Sequence, residues 1–176
     1  MSLELEEINL QEQFLEAIAT HDKIVIKDFL DNQNISDVAD LINKNPDDEA
    51  TIIANMAIHR AAKVFKILDL TTQKQIIKQL PDNKTAELLN ELPADDRTDF
   101  LEELPKTVIR DLIKLLDAEE RKITLSLLGY PEDSVGRLMT PDYVYVYAQN
   151  TVEEVLQTIR KFAKNSETID VIYIIN

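Results

Sequence analysis

Leucines recur at every twelfth position through the middle of this chain. The first series consists of Leu68, Leu80, Leu92, Leu104, Leu116 and Leu128. A second apolar series follows nine positions later, at Ile77, Leu89, Leu101, Ile113 and Leu125. Such a repeat indicates one structural unit copied along the chain, each copy burying its apolar face against its neighbours. Twelve residues accommodate a corner and a helix of roughly nine or ten residues, about 15 Å long.

Residues that terminate helices follow the leucines of the first series. Three of them are prolines, Pro81, Pro93 and Pro105. Proline ends one helix and is tolerated in the first turn of the next, where its missing N–H has no partner to lose. Asp69 and Asp117 are suited to cap the next helix with a carboxylate. The pattern predicts a mainly α fold, a right-handed superhelix of short helices with ~12-residue repeats, in which the leucines of the repeat are buried.

The chain before the repeat also has helical periodicity. Apolar spacing predicts further helices over residues 9–19, 22–30, 46–57 and 58–68. Ser36 is predicted to cap another helix, which Asn45 and Pro46 end. The acidic segment 1–7 is predicted to fray.

The character of the sequence changes after Gly129. A turn-rich break leads to one predicted helical turn over residues 134–139 and then to a strand over 143–147. Thr151 and Glu154 form a capping-box pattern that opens a helix, and residues 170–175 are a second apolar strand. Two strands and one helix are too few to close a core. We therefore predict two regions, a helical domain over 1–130 and a linker with a truncated β-α-β piece of a domain over 131–176.

Three tyrosines, Tyr143, Tyr145 and Tyr147, alternate along one face of the first predicted strand. One interpretation is an aromatic surface on which nucleobases stack. The other is an edge strand whose sheet neighbours are missing, and we favour this second interpretation. Thr151 resembles a phosphate ligand, but its first role is predicted to be that of a helix cap.

Composition and charge narrow the possible functions. The formal net charge is −14, which argues against binding to nucleic acid and favours cations as ligands. The absence of cysteine excludes disulfides, thiol catalysis and zinc–thiolate sites. No apolar run approaches the ~20 residues of a membrane span. No phosphate-binding loop or catalytic triad motif is found, so we predict that the chain is not an enzyme.

The predicted helix over residues 94–104 concentrates acidic side chains. At about 100° per residue, Asp95, Asp99 and Glu102 share one narrow stripe, whereas Phe100 and Leu101 lie on the opposite face. Like charges four residues apart destabilise a helix by a few tenths of a kcal/mol. Two explanations remain open at this point, either a bound cation that offsets the repulsion or a solvated face.

The leucine–proline repeat, the segment Tyr130–Thr140 (YPEDSVGRLMT) and the segment Thr151–Glu154 (TVEE) together resemble the cytoplasmic part of MgtE-type magnesium transporters. The resemblance implies that the repeat is that family's N-terminal helical domain and that the tail opens the first of its two CBS domains. Two positions depart from the family pattern. Arg137 stands where the family often has glycine, and residues 170–171 (Asp-Val) replace an aromatic pair, which argues against nucleotide binding.

The resemblance implies a regulatory function, the cytosolic magnesium-sensing part of a transporter or channel that gates the pore by closing onto CBS domains when magnesium binds. The implied metal ligands are Asp95 and Asp99, and the helical stripe adds Glu102. Mg²⁺ is expected to bind this fragment weakly or not at all. The expected partners are CBS and transmembrane domains, in a homodimer at the cytoplasmic face of the cell membrane, with the fragment itself soluble. The alternatives are a helical-repeat interaction scaffold with no ion role and, less favoured, an adenosine-nucleotide sensor.

Overall fold

The computed structural model describes residues 3–131, 133–141, 143–162, 169 and 171–176. Within these residues the protein is mainly helical, with twelve helices and one two-stranded sheet. In chain order the helices before the sheet are α1 Leu3–Ala19, α2 Lys23–Asp31, α3 Ile35–Lys44, α4 Glu49–Asn55, α5 Ile58–Ile67, α6 Leu70–Gln79, α7 Asp82–Glu91, α8 Ala94–Glu102, α9 Lys106–Leu115, α10 Ala118–Leu128 and α11 Val135–Leu138. The remaining elements are β1 Tyr145–Tyr147, α12 Val152–Phe162 and β2 Tyr173–Ile175. The predicted fold class, short repeated helices followed by a β-α-β segment, is confirmed.

Helices of the repeat begin where the sequence predicts. Pro81, Pro93 and Pro105 are the N-cap residues of α7, α8 and α9. Asp69 caps α6, because its Oδ1 accepts hydrogen bonds from the backbone N–H groups of residues 71 and 72 at 2.9 and 3.1 Å. At the corner before α10, the N–H of Asp117 donates to Asn90 Oδ1 at 2.9 Å. The carboxylate cap is therefore confirmed at Asp69, the prolines stand at the N-cap, one position before the predicted first turn, and the cap at Asp117 stays a prediction.

The boundaries of the early helices differ from the prediction. α1 begins at Leu3 rather than near residue 9, and residues 1 and 2 of the predicted frayed segment lie outside the described residues. The prediction that Ser36 caps α3 is wrong, because Asn34 is the N-cap residue. Asn34 has extended backbone angles, and its side-chain amide donates to Asp37 Oδ2 at 3.1 Å. Ser36 therefore lies inside the first turn.

The two apolar series are buried only in part. In the first series, Leu68, Leu80, Leu92 and Leu116 are buried, whereas Leu104 and Leu128 are half-buried. In the second series, Leu89 and Leu101 are fully buried, Ile77 and Ile113 are half-buried and Leu125 is 51% exposed. The predicted burial of the repeat leucines is therefore wrong at Leu125 and only partly met at Leu104 and Leu128.

The exposure of Leu125 follows from the orientation of α10. Its buried residues are Thr124 and Leu127. These two positions lie about 60° apart around the helix, whereas Leu125 is turned about 100° from Thr124. The Thr124 hydroxyl accepts a hydrogen bond from the buried side chain of Arg97, which holds Thr124 inward. Leu125 is therefore turned outward, although it stands at the twelve-residue spacing of the repeat.

The β-α-β segment forms a small parallel sheet. Residues 145–147 of β1 pair with residues 173–175 of β2, so both strands are shorter than predicted. The capping box is present, because the Thr151 N–H donates to Glu154 Oε2 at 2.7 Å and the Glu154 N–H to Thr151 Oγ1 at 3.4 Å. Val146 is buried, whereas the β1 tyrosines are exposed. The segment is confirmed; the tyrosine face of β1 and both faces of β2 are exposed.

The chain divides into two compact units, each of which contains helices of the repeat. The first comprises Met1–Leu92 and Leu104–Asp117, and the second comprises Pro93–Glu103 and Ala118–Asn176. The predicted domain boundary between residues 130 and 131 stays a prediction. Within the described part of the chain, no helix is long and apolar enough to cross a membrane.

Candidate metal centre

The acidic stripe lies on α8, a helix whose other face is firmly packed in the second unit. Thr98 and Leu101 are fully buried and Phe100 is 4% exposed. The Thr98 hydroxyl donates to the carbonyl oxygen of Ala94 at 2.6 Å and so has no unmet hydrogen bond inside the core. Because this face is packed in the core, the carboxylates on the opposite face of α8 keep a fixed orientation.

Asp95 and Asp99, one helical turn apart, differ in their surroundings. Asp99 is exposed, whereas Asp95 is half-buried and its Oδ1 atom is buried. That oxygen finds no hydrogen-bond donor among the described residues. A buried carboxylate oxygen without a donor is costly, because it has lost water and gained no replacement. The arrangement favours a ligand that supplies positive charge.

The electrostatic surroundings of Asp99 also favour a positively charged ligand. Partial desolvation raises the pKa of the Asp99 carboxyl above its usual value, and the neighbouring negative charges of Asp95 and Asp96 raise the pKa further. The positive charge of Arg137 acts in the opposite sense and lowers it. The ionised carboxylates of α8 therefore repel one another, and a nearby cation relieves the repulsion.

Glu102, the third predicted ligand, lies beside the same arginine. Arg137 Nη1 is 3.1 Å from Glu102 Oε2. Arg137 lies on α11, is 7% exposed and belongs to the same compact unit as α8. One cation therefore already interacts with the carboxylates of this face, and it comes from the chain itself.

A second buried arginine fixes the packing of α8. Arg97 is completely buried, its Nε donates to Thr124 Oγ1 at 2.8 Å, and its Nη2 is paired with Glu120 Oε2. Removing Glu120 would take this carboxylate from a fully buried guanidinium, which is destabilising. This contact joins α8 to α10 and keeps the acidic face of α8 oriented away from the core.

Within the part of the chain that the structure describes, the three predicted ligands do not form a complete metal site. Among the described residues, no group of three or more aspartates, glutamates or histidines is arranged to hold a metal ion. Magnesium retains several waters and needs only one or two carboxylates. Asp95 and Asp99 therefore fit one half of a magnesium site, with hard oxygen donors, an orphaned carboxylate oxygen and excess negative charge.

Sequence reasoning missed the two arginines that organise this face. Arg97 is the only base among the acids of residues 91–103, and this isolation was a usable signal for an ion pair. Arg137 stood out as a departure from a family pattern, but its position beside Glu102 depends on the turn between α10 and α11. Tertiary contacts of this kind cannot be derived from helical periodicity.

Comparison with known proteins identifies the helical part of the chain. The family model of the MgtE intracellular N domain matches residues 33–133, more than half of the chain. This chain belongs to that family. The MgtE match includes α8, α10 and the acidic face, and it ends just before α11.

Individual MgtE proteins are similar over a shorter stretch. The magnesium transporter MgtE of Thermus thermophilus is 47% identical over 62 residues, and that of Bacillus subtilis is 38% identical over 61 residues. Each match covers 35% of this chain and 14% of the relative. The matched region is therefore a small part of those transporters.

Two solved structures resemble nearly the whole chain. The cytosolic domain of the Mg²⁺ channel MgtE in complex with ATP aligns with a TM-score of 0.85 at 30% identity, covering 94% of this chain and 68% of that one. The soluble part of a magnesium transporter aligns with a TM-score of 0.81 at 21% identity, covering 95% and 68%. The second likeness shows the fold alone. Of the two positions predicted to weaken nucleotide binding, Asp170 lies outside the described residues.

Proposed function

We propose that this chain is the cytosolic magnesium-sensing part of a magnesium transporter or channel. Membership of the MgtE intracellular N domain family supports the class of protein. The observation that carries the proposal is the α8 face, where Asp95 Oδ1 is buried without a donor and Asp99 is repelled by its neighbours. Asp95, Asp99 and Glu102 supply the carboxylates. The site is a half-site, weak in this chain, that acidic groups of another domain complete.

The proposed mechanism is electrostatic. At low magnesium, the acidic face of α8 and the acidic surface of a CBS domain repel each other and stay apart. Bound Mg²⁺ neutralises both surfaces and draws the domains together, which favours the closed pore. Such a ligand shifts the equilibrium only as far as its affinities for the two states differ. A weak half-site in the open state and a complete site in the closed state provide that difference.

The proposal places the chain in a larger assembly. The β-α-β segment is the start of a CBS domain, and its partners are the rest of that domain and a transmembrane domain. The assembly is a homodimer at the cytoplasmic face of the cell membrane. The exposure of both faces of β2 supports this arrangement, since the consecutive residues Tyr173 and Ile174 are 52% and 70% exposed.

Limited proteolysis of the intact protein tests the proposal. Magnesium should protect the linker around residues 130–143, and the double variant Asp95→Asn, Asp99→Asn should need more magnesium for the same protection. The matched control is Glu87→Gln, Glu91→Gln, which removes two charges with the same i,i+4 spacing from exposed positions on α7. If the aspartate variant and the control are protected at the same concentration as the parent, α8 is not the sensor.

One observation favours the alternative, an interaction scaffold without an ion role. A groove between α1 and α2, before the family match begins, is lined in part by Ile24 and Val25, which are 79% and 42% exposed. A scaffold predicts that magnesium does not change protection of the linker in any variant. The same proteolysis experiment therefore separates the two functions.

A further inference from the structure

Arg137 is a buried cation whose hydrogen-bonding capacity is only partly used. Its side chain is 7% exposed, and its Nε and Nη1 atoms are buried without a hydrogen-bond acceptor in the described part of the chain. The nearest opposite charge is Glu102 Oε2, 3.1 Å from Nη1, close enough for an ion pair but not aligned as a hydrogen bond. Burying a guanidinium with unmet donors is costly. The attraction of the α8 carboxylates offsets that cost.

Local packing fixes the segment that carries Arg137. The backbone of Gly136 approaches the Tyr130 ring so closely that a Cβ atom on residue 136 would lie 2.5 Å from ring atom Cδ1. Only glycine allows this approach. The one-turn helix α11 is thereby held against the turn after α10, and the neighbouring residue, Arg137, reaches α8.

Arg137 acts on the same carboxylates that are proposed to bind magnesium. It is paired with Glu102, and its charge counteracts the repulsion of Asp99 by Asp95 and Asp96. A divalent cation that binds Glu102 or Asp99 comes close to the guanidinium and is repelled by it. The two cations therefore cannot both interact fully with these carboxylates.

We infer that Arg137 is an exchangeable internal counter-ion of α8, with which a divalent cation competes for Asp99 and Glu102. This inference rests on the proposed function and adds a regulatory step to it. Without bound cation, the guanidinium offsets part of the negative charge of the acidic face and holds α11 against α8. A bound divalent ion replaces that neutralisation and releases α11, so occupancy of the site is communicated to residues 130–141.

A titration of this chain with magnesium chloride at constant ionic strength, followed through the amide resonances of residues 94–102, tests the competition. Arg137→Gln should bind Mg²⁺ roughly three- to tenfold more tightly than the parent, because one opposing charge is removed. Arg137→Lys retains that charge and should bind like the parent. The control Arg160→Gln removes the same charge from an exposed position on α12 and should also bind like the parent. Thermal unfolding establishes that each variant is folded.

A second measurement needs no substitution. Magnesium should accelerate amide hydrogen exchange at residues 135–138 in the unmodified chain, because α11 loses its contact with α8. Unchanged or slower exchange at these residues, while the resonances of α8 show that magnesium binds, would overturn the inference.

The outcomes separate the inference from the proposed function. If magnesium binds the parent at α8 and Arg137→Gln binds equally or more weakly, the competition is wrong and the magnesium site stands. If neither the parent nor Arg137→Gln shows magnesium binding at α8 even well above the millimolar concentrations that a weak half-site requires, both are wrong. Both are supported if Arg137→Gln binds magnesium more tightly than the parent while Arg137→Lys and Arg160→Gln do not, and if magnesium accelerates amide exchange in α11 of the parent.

Discussion

Leu101 and Leu125 provide a direct test of how the repeat is packed. They belong to the same apolar series and lie in the same compact unit, on α8 and α10. Leu101 is completely buried, whereas Leu125 is 51% exposed. Replacing each by alanine removes the same atoms from the same type of helix. Any difference between the two variants therefore reports burial rather than side-chain chemistry.

The expected magnitudes differ severalfold. Leu101→Ala loses the full transfer free energy and leaves a cavity beside Phe100, so the free energy of unfolding should fall by about 2–5 kcal/mol. Leu125→Ala removes atoms already half in water and opens no closed cavity. Alanine also has a slightly higher helix propensity than leucine. The loss at residue 125 should therefore be no more than about 1 kcal/mol.

Urea unfolding followed by tyrosine fluorescence and far-UV circular dichroism measures both variants. All five tyrosines lie between residues 130 and 173 and tryptophan is absent, so the fluorescence reports the second unit. The free energies come from the midpoints at a common slope, provided that the slope is unchanged. Equal losses at residues 101 and 125, or the greater loss at 125, would refute the assigned orientation of α10.

Three further variants have defined outcomes. Gly136→Ala should lower the melting temperature, because the Tyr130 ring must move to make room for the new Cβ atom. This decrease is expected even though alanine in place of glycine normally stabilises a helix by up to about 1 kcal/mol. Burial and the negative charges nearby raise the pKa of Glu49 in the folded protein. The protonated carboxyl therefore stabilises the fold fully below the unfolded pKa, and this stabilisation is lost as pH rises through the folded pKa. In chemical denaturation, Glu49→Gln should therefore be more stable than the parent at pH 7 and should lack this pH dependence. Asp95→Asn, Asp99→Asn should leave the melting temperature unchanged or slightly higher, because helix repulsion falls; a clear decrease would contradict this.

The sequence predicted the elements of the repeat because their signals are local. A proline or a capping aspartate ends each short helix, and such residues act within one turn. The capping box at Thr151 was predicted for the same reason and is present. Local signals fix where a helix begins, but they do not fix how it is rotated about its own axis.

Long-range polar contacts decided the features that the sequence did not predict. Arg97 is buried against Thr124 and Glu120, 27 and 23 positions away in the chain, and this contact orients α10 with Leu125 outward. Arg137 reaches Glu102 across 35 positions of the chain. Helical periodicity placed the acids of α8 on one stripe, but it contained no information about the cations beside them.

The central claim is that Asp95 and Asp99 hold a divalent cation. A crystal structure of this chain grown with Mn²⁺, a magnesium substitute with a strong anomalous signal, tests it most directly. We predict an anomalous peak about 2.1 Å from a carboxylate oxygen of each aspartate, with the remaining ligands water, and no such peak in the Asp95→Asn, Asp99→Asn variant. Well-ordered crystals at high Mn²⁺ concentration with no peak at α8, or with Asp95 Oδ1 bound only by water, would contradict the claim.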